Sequence, residues 1–91
     1  MQVVDLYSTT PAITQNNFVM LEDPKNMIPA QQVLPIINTK RVPEDAHAVL
    51  NRISAVLTTD DLRSLNDEVS GDKKLDPSTA AANWLKDKGL L

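Results

Sequence analysis

Thr58-Thr59-Asp60-Asp61-Leu62-Arg63-Ser64-Leu65-Asn66-Asp67-Glu68-Val69-Ser70-Gly71 reads as one complete helix with both ends marked. Thr58 is an N-cap residue whose hydroxyl can accept from the first free backbone N–H groups. Asp60 and Asp61 then sit where the helix dipole is positive. Leu62, Leu65 and Val69 recur at helical spacing and form the stripe to be buried. Gly71 stops the element. Working back from Thr58, Ala46, Val49, Leu50, Ile53 and Leu57 fall on one face of a preceding helix. Pro43 suits its first turn, where a missing N–H leaves nothing unpaired. Working forward, Asp76-Pro77 opens a third helix as N-cap and first-turn proline. Ala81, Trp84 and Leu85 are its inward residues, and Lys86 and Lys88 favour its negative end. Gly89 closes it, with Leu90 available for a Schellman-type contact.

Upstream of Pro43 the pattern changes. Val3, Val4, Leu6 and Tyr7 read as a strand that ends at Ser8-Thr9-Thr10-Pro11. The polar stretch Thr14-Gln15-Asn16-Asn17 separates it from a second apolar run, Phe18 to Leu21. Glu22-Asp23-Pro24-Lys25-Asn26 is a turn signal, and Pro29 makes residues 27 to 32 irregular. Val33-Leu34-Pro35-Ile36-Ile37-Asn38 reads as a third strand, with Pro35 placing it at an edge or bulge. Strands at one end and helices at the other read, in isolation, as α+β. The simpler explanation is a fragment whose partner strands lie upstream, outside this sequence.

Composition bounds the function. Ninety-one residues suit one small domain with a limited core. Aromatics make up only 3%, so Leu, Ile, Val and Ala must supply that core. A net charge of −3 disfavours both nucleic acid and anionic membrane surfaces as partners. The absence of cysteine excludes disulfides, thiolate catalysis and cysteine-based metal sites. No apolar run approaches the roughly 20 residues that span a bilayer. Gln2 and Asp5 interrupt the opening apolar stretch, so no signal peptide is visible.

No catalytic constellation emerges. His47 has no second histidine or cysteine to join it as a metal ligand, and a helix-surface position is the simpler reading. Asp60-Asp61 with Asp67-Glu68 lacks the alternating ligands and central glycine of a calcium loop, and capping explains the first pair. Gly71 and Gly89 are the only glycines, which rules out a glycine-rich phosphate loop. The serines have no nucleophile-elbow context. A helix–turn–helix over residues 44 to 70 would present an acidic second helix to phosphate. No Asp-Ser-Leu attachment sequence supports an acyl carrier. Tyr7 remains, at a strand end and followed by small hydroxyl residues. Its ring face is suited to a quaternary ammonium group, while an ordinary half-buried strand tyrosine is the plainer alternative.

The order of the pieces is more telling than any one of them. Tyr7-Ser8-Thr9-Thr10 is followed by Leu21-Glu22-Asp23-Pro24, Ile28-Pro29-Ala30-Gln31 and Leu34-Pro35-Ile36-Ile37. Then come Val49-Leu50-Asn51, Leu65-Asn66-Asp67-Glu68-Val69, and Ala81-Ala82-Asn83-Trp84-Leu85-Lys86-Asp87-Lys88-Gly89-Leu90-Leu91. This series resembles, over nearly the whole chain, the C-terminal stretch of the substrate-binding proteins of glycine betaine/choline (osmoprotectant) ABC transporters.

The resemblance implies an α/β fold, the C-terminal part of a two-lobed type II periplasmic-binding-protein architecture, with strands first and then three helices. It implies that residues 1–32 end one lobe and include the hinge crossing, and that residues 33–91 return to the other lobe. The implied protein is not an enzyme and needs no cofactor or metal. It takes up a quaternary amine or other small osmolyte by hinge closure and delivers it to a membrane permease. The implied location is the periplasm, or a lipid-anchored extracellular position. Tyr7 matches a tyrosine of the family's aromatic cage, and Thr9 lies beside it as a further ligand-binding candidate. Gln31 stands where the family has a second cage tyrosine, which removes about 0.5–2 kcal/mol of cation–π attraction or opens a hydrogen bond to a different ligand. Thr10 likewise replaces the family's usual aspartate. A piece of this size is expected to hold only part of the cleft and to bind no osmolyte measurably alone, and its cut sheet edge is open to dimerisation. The alternative reading is a free-standing α+β module that binds another protein through its helical face.

Overall fold

The structure, a computed structural model, describes residues 2–91. Its elements are α1 (Ala12–Gln15), α2 (Glu44–Val56), α3 (Thr59–Ser70) and α4 (Pro77–Asp87). The chain divides into two compact units, one of Met1–Phe18 with Leu57–Leu91 and the other of Val19–Val56.

The α/β class expected from the sequence, with strands preceding three helices, is not what forms. Among the described residues there is no strand. Val3 to Tyr7, Phe18 to Leu21 and Val33 to Asn38 have strand composition, but a strand exists only as one side of a hydrogen-bonded ladder. These segments form no ladder, so no sheet and no sheet edge is present among the described residues.

The three expected helices are all present. Thr58 caps α3 as its sequence indicates, and a capping box completes the end. The Asp61 N–H donates to Thr58 Oγ1 at 3.1 Å, and the Thr58 N–H donates to the Asp61 carboxylate at 3.1 Å. The N-cap of α4 is Asp76, whose carboxylate accepts from the Ser78 N–H at 3.1 Å and from the Ser78 hydroxyl. At its other end the Leu90 N–H donates to Leu85 O and the Gly89 N–H to Lys86 O, with Gly89 at φ +70°. That is the complete Schellman arrangement. Gly71 ends α3 for a different reason. Its φ is −83°, but a Cβ there would lie 2.4 Å from the Asp67 carbonyl oxygen.

One helix goes beyond the sequence reading. The single turn α1 occupies the segment read as a polar spacer, and it too closes with a Schellman pair. The Phe18 N–H donates to Ile13 O, the Asn17 N–H donates to Thr14 O, and Asn17 adopts φ 53°. Asparagine tolerates that left-handed conformation better than most residues.

In the first unit α3 packs on α4. Ile13 of α1 and Ala80 of α4 are its buried apolar residues, with Leu62, Leu65, Val69, Trp84 and Leu85 half-buried. Ala81, expected to face inward, is exposed, and its neighbour Ala80 takes the contact. In the second unit α2 half-buries Ala46, Leu50 and Ile53, while Val49 is exposed. The rest of that unit is irregular chain with turns at Asp23–Asn26 and after Asn38.

Candidate ligand-binding site

Tyr7 opens a tight turn in which the Thr10 N–H donates to its carbonyl at 3.0 Å. Thr10 in turn accepts from the Ile13 N–H, so this turn runs directly into α1. The Tyr7 residue is 80% exposed, not the half-buried tyrosine of an ordinary strand. Thr9 beside it is half-buried.

Two side chains of α3 hold the turn. Arg63 Nε donates to Ser8 O at 2.9 Å, and Asn66 Nδ2 donates to Thr9 O at 3.0 Å. Arg63 is itself steadied by Asp60, whose carboxylate lies 3.1 Å from Nη1. A third link joins α1 to α3, from Gln15 Nε2 to the Asp67 carboxylate. Around these links lies an open concavity of about 420 Å³, with Pro11, Thr14 and Gln15 on one side and Asp60, Arg63 and Asp67 on the other.

The sequence alone did not single out Arg63, Asn66 or Gln15. A faint signal existed, since Arg63 and Asn66 are three apart and therefore share a helix face beside the apolar stripe. Their acceptors are main-chain carbonyls, which leave no trace in side-chain identity.

Three acidic residues of α3, Asp60, Asp61 and Asp67, are individually engaged. The carboxyl of Asp61 is held below its ordinary 3.8, first by the Thr58 N–H; desolvation opposes this, and the Thr58 hydroxyl, the Trp84 indole and Lys88 add to it. Lys88 Nζ lies 3.6 Å from the Asp61 carboxylate and 5.9 Å from the centre of the Trp84 ring. The indole N–H is near enough to Asp61 to favour its charge but falls short of hydrogen-bond geometry, so Nε1 is buried without a partner.

Gln31 belongs to the second unit, where it is exposed on irregular chain. Nearby, the Ile28 N–H donates to Asp23 at 2.9 Å, and this bond, followed by one from the Met27 N–H, lowers the Asp23 carboxyl. His47 lies on α2, the helix on whose surface the sequence placed it. It is half-buried, and its Nε2 is enclosed without a hydrogen-bond partner.

Against this geometry stands a family match covering residues 1–87, to the substrate-binding domain of the ABC-type glycine betaine transport system. The chain belongs to that family. Its members are transport binding proteins and not enzymes; in general they take a small-molecule ligand and serve an ABC permease. They typically work in the periplasm or outside the cell. No solved structure matches the chain. Among the described residues no helix is long and apolar enough to cross a membrane.

Proposed function

We propose that this chain forms the C-terminal part of a binding domain for glycine betaine or a related quaternary amine, which it delivers to an ABC importer in response to osmotic stress. Tyr7, Thr9 and Gln31 are the ligand-contacting residues in this reading. The observation that carries it is an exposed aromatic ring on an anchored turn, in a chain of the glycine betaine substrate-binding family. A quaternary ammonium group has no N–H to donate, so it is recognised by the negative face of an aromatic ring. The Thr9 hydroxyl and the Gln31 amide are donors for a carboxylate or hydroxyl at the ligand's other end.

The test is calorimetric titration of the full-length natural protein with glycine betaine, choline, carnitine and proline. Saturable binding of a quaternary amine is expected, weakened roughly two- to thirtyfold by Tyr7→Ala. Gln31→Tyr, which adds a second aromatic wall, is expected to tighten binding by a similar factor. Failure of all four solutes to bind would overturn this function.

A further inference from the structure

Tyr7 has a largely exposed ring, so packing does little to fix where it points. What is held is the main chain that carries it, on the C-terminal side. The carbonyls of Ser8 and Thr9, two in succession, accept from Arg63 and Asn66, which rise three residues apart from one face of α3. Both bonds bridge more than fifty residues of sequence. Arg63 is only 13% exposed in its side chain, and its Nη1 is paired with Asp60. A guanidinium can serve both acceptors at once because its N–H groups form a rigid fork; an ammonium cannot reproduce that geometry.

We propose that Arg63 and Asn66 are positioning residues for the ligand-binding segment, presetting the orientation of the Tyr7 ring through the Ser8 and Thr9 carbonyls. The proposal rests on the reading of Tyr7 as a ligand contact. Its physical content is preorganisation: a segment already ordered in the free protein need not be ordered by the ligand. Asn66 and Arg63 touch no ligand in this scheme and act only through the turn.

Tyr7 is the only tyrosine in the chain, so incorporated 3-fluorotyrosine gives a single fluorine resonance that reports on this ring. Asn66→Asp keeps the side chain's shape but removes its N–H donor, and Arg63→Lys keeps the charge but removes the fork. In the ligand-free protein each variant is expected to move the resonance toward the position of the unfolded chain, with the helical circular dichroism retained. An unmoved resonance in both variants would overturn the proposal, whether or not any ligand binds.

The second arm, run in the full-length natural protein, is a double-mutant cycle on glycine betaine affinity. Asn66→Asp is expected to weaken binding roughly three- to tenfold in the wild-type background, and much less once Tyr7→Ala has removed the ring it positions. Equal losses in the two backgrounds would show a general structural role and sink the inference. If the wild-type protein binds no quaternary amine, the functional reading fails, and the fluorine measurement alone decides the positioning role.

Discussion

The two units of this chain solve the same local problems and differ in what joins distant residues. In the first, Ser8, Thr9 and Gln15 are bonded to Arg63, Asn66 and Asp67 across more than fifty positions, and α3 packs on α4. In the second, Asp23 holds Ile28, Asn38 holds Lys40, and α2 holds itself, all over a few residues. Burial follows the same division. Ala80 of the first unit is 1% exposed, whereas Ile36 of the second is 96% exposed. Capping, turns and helical stripes thus shape a segment, and in the first unit the non-local links tie such segments together.

The sharpest way to break that contrast is to overfill the one fully closed contact of α4. Ala80→Leu inserts three carbons where there is no room and is expected to destabilise the first unit by about 1–3 kcal/mol. Urea unfolding followed by the fluorescence of Trp84, the only tryptophan, measures it directly. An unchanged midpoint would mean that α3 and α4 do not depend on this contact. Thr58→Ala comes next. It removes one half of the capping box and should cost about 1 kcal/mol, visible as a smaller shift of the same transition.

These helix ends were legible because capping is local chemistry. Thr58, Asp76 and Gly89 can each be assigned from the residues within one turn of them, and the structure agrees at all three. Strand identity is not local in this sense. Val3, Val4 and Leu6 specify a chain that prefers to be extended, but whether it becomes a strand depends on a partner that no property of those residues supplies. Helix α1 escaped for the opposite reason. A four-residue turn has no periodicity to detect, and its decisive signal is the tolerance of Asn17 for φ 53°. Tyr7 could be singled out as an aromatic followed by small hydroxyl residues, though not at the strand end expected for it, whereas the clamp on the carbonyls beside it could not.

Acid provides a finer test of the same comparison. The carboxyls of Asp61 and Asp76 in the first unit and of Asp23 in the second are all lowered by hydrogen bonds to their charged forms. Asp76 owes this first to the Ser78 hydroxyl and then to the Ser78 and Thr79 N–H groups. A carboxylate with a depressed folded pKa contributes stability above the unfolded value, here 3.8, and loses it as pH falls through the folded value. Stability of both units is therefore expected to decline below about pH 4. Asp61→Asn should flatten that decline when it is read through Trp84, because the substitution removes the titrating group from the α3–α4 junction. Asp23→Asn should leave the Trp84 signal as it is and flatten the decline only for amides around Ile28. Identical effects of the two substitutions on Trp84 would show that the indole does not report on Asp61 in particular.

The smallest effect is the most discriminating for the second unit. Ile36→Ala deletes a large apolar side chain, a change that in a packed core typically costs about 2–5 kcal/mol. At 96% exposure there is almost no buried surface to lose. The expected change in unfolding free energy is therefore within about 0.5 kcal/mol. The same substitution at Ile13, 8% exposed in the first unit, supplies the matched control with a core-sized loss. If Ile36→Ala proved as damaging as Ile13→Ala, then the segment around Pro35 would be covered in solution by apolar surface, and burial rather than local turns would be what holds the second unit in shape.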